Sequence, residues 1–164
     1  WIEGMNETIA NDPKYANMTL VATVYGDDQP EKSTTEMEAL LANFPNLKGV
    51  IAPTTVGIAA AAQVVQSRGI ADSVKVTGLG LPSEMREFIK DGTVEGFQLW
   101  SPYNEGWLAS HIAVGLKNGT MTNEVGGTFE GPNLGTITIN DGNSINTQSA
   151  LTTFNADNID DFDF

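Results

Sequence analysis

Three stretches of the sequence hold groups that could grip a small molecule. Pro53-Thr54-Thr55 offers two hydroxyls just ahead of an alanine run, in GVIAPTTVGIAAAA. Gly78-Leu79-Gly80-Leu81-Pro82 offers main chain that a ligand can approach closely, because Gly80 has no side chain. Leu99-Trp100-Ser101-Pro102-Tyr103-Asn104 offers a flat indole on which a sugar or another small ring could stack. Hydroxyls, free main-chain N–H groups and an aromatic plane suit a small, neutral, polar ligand. No cluster of Lys or Arg stands beside them, as a phosphate would require. Each stretch also has a purely structural alternative. The threonines can cap a helix, the glycines can serve close packing, and Trp100 can lie in a core. The candidate ligand-binding residues are therefore Pro53, Thr54, Thr55, Gly80, Leu81 and Trp100, with no catalytic and no metal-binding residue among them.

Catalytic constellations are missing. GLGLPS has the first two glycines of a dinucleotide fingerprint without the third, and no P-loop occurs. His111 is the single histidine, one turn after Trp107 on the apolar side of its helix. A packed, hydrogen-bonded role is expected for it, since no G-x-S-x-G elbow exists for it to serve. Asp157, Asp160, Asp161 and Asp163 lack the spacing and the glycine of a calcium loop. The chain has no cysteine, which removes disulfides, zinc–thiolate sites and thiol nucleophiles. The reading is a binding module, not an enzyme, and it needs no cofactor.

The elements that must position these residues follow from periodicity. Thr19–Tyr25 (TLVATVY), Leu47–Ala52, Val74–Leu79 and Gly96–Trp100 read as strands. Helical spacing is expected over Trp1–Ala10, over the run from Pro30 to Phe44, over Val56–Ser67, after Pro82 and over Asn104–Lys117. Gly69 and Gly119 stand where helices stop. The strand centres recur about every 25 residues, and such alternation builds a parallel sheet flanked by helices on both faces. In an open sheet of that kind ligands bind beyond the carboxyl ends of the strands, which is where all three stretches fall. From Gly126 the pattern changes. Thr136–Asn140 reads as a short strand followed by a turn at Asp141-Gly142, and the remainder is polar.

The 164 residues suffice for one domain with a sizeable core. A net charge of −13, from 21 acidic and 8 basic residues, argues against nucleic acid and anionic lipid as partners. The chain opens on Trp1 in what reads as the middle of a helix, so it is taken as a fragment or processed product whose export signal would lie elsewhere.

APTTVGIAAAAQVV, VTGLGLPSEMREFIKDGTVEGFQLWSPYNEGWLA and the closing NIDDFDF resemble one family. They are similar to the type I periplasmic sugar-binding proteins of ABC importers, in the rhamnose-binding and autoinducer-2-binding branch, over the C-terminal half of such a protein. Thr77–Trp107 is the most specific part and the Asp-Phe tail a second, independent match. The resemblance implies two α/β lobes that clamp a small sugar and present it to a membrane permease, in the periplasm or at the outer face of the cell membrane. Residues 1–102 and 136–164 would form the C-terminal ligand-binding lobe. Residues 103–125 would be a helix of the other lobe, whose remainder is absent, and 126–135 the hinge return. The first strand of this lobe and the family's charged pocket residues would precede Trp1. Pro53 and Thr55 align with positions whose main chain contacts ligand in the autoinducer-2 branch, where alanine stands in place of Thr55. Trp100 aligns with a tryptophan that lines the pocket, and Gly80 and Leu81 occupy the neighbouring loop. The effector-binding domain of a LacI-type transcription repressor shares this fold and is the alternative.

Overall fold

A computed structural model describes residues 1–131, 134–141, 144–145 and 151–164. Strand β1 (Gly49–Ala52) pairs in parallel with β2 (Lys75–Gly78), Val50 opposite Val76. A parallel bridge from Leu79 to Gln98 carries the sheet on to β3 (Phe97–Trp100). There the Thr77 hydroxyl donates to the Gly96 carbonyl at 2.9 Å. Strand β6 (Leu151–Phe154) closes the far side antiparallel to β3, Phe97 opposite Phe154. This is the α/β class with parallel strands and packed helices that the sequence leads one to expect.

Helices α2 (Pro30–Asn43), α3 (Thr55–Arg68) and α4 (Pro82–Lys90) form one layer, α3 touching α2, α4, β1 and β2. Right-handed crossovers that step in one direction put successive helices on the same side. Strand residues alternate accordingly. Val76, Phe97 and Leu99 are buried under the helices, while Ile51, Thr77, Gln98 and Thr153 on the other face are exposed. The alanine run explains how α3 sits so close. Ala60, Ala61 and Ala62 are buried, and Ala61 and Ala62 join Ile58, Val65, Met85, Phe97, Phe154 and Ile159 in the main core. Gly69, in the left-handed conformation at φ 62°, ends α3 as expected, with the Ile70 N–H donating back to the Val65 carbonyl at 3.1 Å. Arg68 and Glu38 form an ion pair between α3 and α2.

Helix α1 spans Ile2–Asn11, and α5 runs from Pro102 to Asn118. The latter starts two residues earlier than its periodicity suggests, because proline is tolerated at the first helical position. The hairpin of β4 (Thr128–Gly131) and β5 (Gly135–Thr138) packs Leu134 and Ile137 on Leu108 of α5, forming a second, small cluster. Gly142, half of the expected turn, lies outside the described residues.

One expected strand is corrected. Thr19–Tyr25 has no strand pairing among the described residues, and Leu20, Val21, Val24 and Tyr25 are exposed. Its β-branched residues fit a pleated surface, but a strand exists only when a neighbour supplies hydrogen bonds. Among the described residues β1 pairs with β2 alone. Strands β4 and β6 were not foreseen, because each is set in polar chain.

Asp91 ties the end of α4 to α3. Its carboxylate accepts from the Gln66 side chain and, at 2.9 Å, from the Thr93 N–H. Burial works against its charge, but these hydrogen bonds from Gln66 and Thr93 hold the carboxyl below its ordinary value. A carboxylate lowered on folding stabilises the fold above its unfolded value and loses that contribution as pH falls through its folded value. The acid-side decline in melting temperature should therefore be shallower for Asp91→Asn than for the unmodified protein. Equal slopes would show that the ionised form adds nothing.

Candidate functional site

The carboxyl ends of β1, β2 and β3 are knitted into one rim. The Leu79 N–H donates to the Ala52 carbonyl at 3.0 Å, and the Gly80 N–H to the Gln98 carbonyl at 3.3 Å. Gly78 makes this approach possible. Its φ is 148°, and a Cβ there would lie 1.9 Å from the Ala52 carbonyl oxygen. The rim thus brings Pro53, Thr54 and Thr55 beside Leu79, Gly80 and Leu81, with Trp100 at the end of the next strand.

The two threonines do different things. Thr54 is the N-cap of α3, its Oγ1 accepting from the Gly57 N–H at 3.0 Å. Thr55 is half-buried at the first helical position, and its hydroxyl has no hydrogen-bond partner among the described residues. Thr54→Ala should therefore lower stability by about 1 kcal/mol and leave ligand affinity unchanged, whereas Thr55→Ala should weaken affinity with little change in melting temperature. Thermal melts and titrations on both variants check this, and equal effects would remove the distinction.

Gly80 is buried, and its missing side chain faces inward. A Cβ would lie 2.8 Å from Met85 Cγ, 3.2 Å from Ile58 Cγ2 and 3.3 Å from Phe97 Cδ2. The glycine thus lets the rim sink onto the core. Leu81 is half-buried against that core and is the N-cap of α4 without a side-chain bond, leaving N–H groups of the first turn to other acceptors. Trp100 is half-buried and meets Trp1 edge-on, with centroids 5.8 Å apart at 77°. Trp1 at this rim was not expected from the sequence. Only the fold brings positions 1 and 100 together, and nothing in the local pattern of the first helix marks it.

None of the six candidate residues carries a charge, and no group of three or more His, Cys, Asp or Glu among the described residues could hold a metal. The rim is open. A concavity of about 350 Å³ lies between α1 and the turn at Pro13–Tyr15, and one of about 620 Å³ lies at the opposite end of the sheet, around Leu47, Lys48 and Ser73. The candidate residues line neither. His111 stacks on Trp107 at 4.5 Å and 16°. The packed, hydrogen-bonded role expected for it is corrected: the residue is exposed, lies against the rings of Trp107 and Phe129 and makes no hydrogen bond among the described residues.

The rim sets hydroxyl, glycine main chain and an indole side by side, the uncharged groups expected of it from the sequence. The family described as periplasmic binding protein domain matches residues 1–121, and the chain belongs to that family. Among solved structures, a sugar ABC transporter protein from Actinomyces odontolyticus is 44% identical, with a TM-score of 0.86 over 100% of this chain and 52% of that one. An ABC transporter solute-binding protein from Clostridium phytofermentas with bound L-rhamnose is 38% identical, with a TM-score of 0.80 over 98% of this chain and 53% of that one. LsrB from Clostridium saccharobutylicum in complex with AI-2, at 23% identity and a TM-score of 0.73, covers 99% of this chain and 54% of its own and shares the fold. The chain spans about half the length of these proteins.

Proposed function

We propose that this chain is the C-terminal half of the extracytoplasmic solute-binding component of an ABC importer. It binds a small neutral sugar, rhamnose-like or autoinducer-2-like, between two lobes and hands it to a permease without catalysis. Residues 1–102 and 136–164 are assigned to the ligand-binding lobe, 103–125 to a helix of the other lobe, and 126–135 to the hinge return. The observation that carries this reading is the match, at 38% identity over 98% of the chain, to a protein holding L-rhamnose. The uncharged rim supports it, because a neutral sugar needs hydroxyl and main-chain partners and an apolar ring face rather than a counter-charge.

The test is a thermal-shift panel on the full-length protein with neutral sugars, sugar phosphates and amino acids. A ligand that binds only the folded state raises the melting temperature by mass action. Neutral deoxy sugars should do so and sugar phosphates should not. Stabilisation by phosphorylated or charged compounds alone would overturn the reading. Within the full-length protein, Trp100→Ala should lose about 1–3 kcal/mol of sugar affinity, the scale of a well-placed aromatic contact. Unchanged affinity in a folded variant would assign Trp100 to packing.

A further inference from the structure

We infer that the Asp-Phe segment Phe162-Asp163-Phe164 is a positioning element for the Gly80–Leu81 loop, so that its docking and ligand binding are coupled; this rests on the reading under Proposed function. Two separate routes join the segment to that loop. The first is main chain. The Ser83 N–H, in the first turn of α4, donates to the Phe164 carbonyl at 3.1 Å. It is one of the N–H groups a helix leaves without an internal partner, and it lies two residues after Leu81. The second is a column of rings. Phe162 meets Phe154 edge-on at 4.9 Å and 82°, and Phe164 meets it at 6.4 Å and 77°. Phe154 stacks on Phe97 at 5.1 Å and 17°. Phe97 is one of the side chains against which Gly80 rests.

Arg86, on α4 itself, fastens the segment. Its guanidinium donates to the Phe162 carbonyl and lies 3.7 Å from the Asp160 carboxylate and 3.6 Å from that of Asp163. Lys90 adds a 2.7 Å pair with Asp160. Both cations stand on the helix that the loop leads into, so the segment is held on α4 at Ser83 and Arg86, while Lys90 fixes the turn just ahead of it. A loop held at its helix end and from beneath is preorganised, and preorganisation raises affinity by removing the cost of ordering on binding. Coupling of this kind is reciprocal, so the sugar must tighten the segment by the factor by which the segment tightens the sugar.

The experiment uses the full-length protein with L-rhamnose, or the neutral sugar that gives the largest thermal shift. Deleting Phe162–Phe164 should weaken sugar affinity about tenfold well below the melting temperature, with the far-ultraviolet dichroism unchanged. In the unmodified protein, hydrogen exchange at the Ser83 amide should slow when sugar saturates the site. A deletion that lowers the melting temperature but leaves affinity within about twofold would overturn the inference, because a merely structural tail acts that way. So would Ser83 exchange indifferent to sugar, which decides alone if the deletion variant does not fold. Failure of every neutral sugar to bind the unmodified protein would instead overturn the reading under Proposed function, and this inference with it.

Discussion

Gly78→Ala is expected to destabilise the fold by about 4 kcal/mol, combining a backbone conformation reserved for glycine with an overpacked contact. At φ 148° a β-carbon is strained, and it would meet the Ala52 carbonyl oxygen at 1.9 Å. That neighbour is main chain in β1 and cannot swing aside as a flexible side chain does. The substitution therefore forces β1 and β2 apart at the rim that carries Pro53, Thr55 and Leu81. Gly69→Ala is the internal comparison. Gly69 also has a positive φ, 62°, but a Cβ there would meet nothing within 4 Å. It should cost only about 1–2 kcal/mol, the ordinary penalty of the left-handed region. Chemical denaturation of both variants measures the difference. Equal losses would show that the Ala52 contact relaxes and that the rim is softer than described.

Phe154→Ala should cost about 3–5 kcal/mol, the range for removing a buried phenylalanine. The residue is 2% exposed, stacks on Phe97 and takes the edges of Phe162 and Phe164. Its removal leaves a cavity among rings that cannot collapse independently. A single nonpolar side chain thus joins the sheet, the C-terminal segment and the floor beneath Gly80. Phe154→Leu, which keeps most of the volume, should recover more than half of the loss. If alanine and leucine were equally damaging, ring geometry rather than filled volume would set the stability. If both were silent, the C-terminal segment would not dock as described.

The helices were legible where physical punctuation is local. Thr54 and Gly69 bracket α3, Pro30 opens α2, and Pro82 opens α4. Three of the four expected strands of the repeating region formed, because each precedes a turn and lies next to a strand that can pair with it. Thr19–Tyr25 had the composition and lacked the partner, and pairing is not written in a segment's own residues. β6 had the opposite character. Its four residues are unremarkable in isolation, yet the antiparallel pairing of Phe154 with Phe97 makes them the closing edge of the core. The closing tail likewise reads as polar by composition, while Ile159 is 1% exposed and Phe162 packs on the core.

At the rim, residue types told what kinds of contact were available but not which residue takes which role. Thr54 and Thr55 are indistinguishable as adjacent hydroxyls, and one backbone step decides that Thr54 caps α3 and Thr55 does not. Gly80 was read as room for a ligand, and the space its missing side chain leaves belongs to Met85, Ile58 and Phe97. Its main chain remains at the rim. Trp1 reached Trp100 through the fold alone. Tyr103, Trp107, Val114 and Leu116 are exposed along α5, an apolar surface that the proposed other lobe would cover.

The most direct measurement is a co-crystal structure of the full-length protein with the neutral sugar that stabilises it best. The account predicts one sugar beyond the carboxyl ends of β1, β2 and β3, with hydroxyls within about 3 Å of the Pro53–Thr55 main chain or the Thr55 hydroxyl and its ring against Trp100. A sugar seated elsewhere, such as the concavity beside α1, with Trp100 and Thr55 untouched, would contradict it.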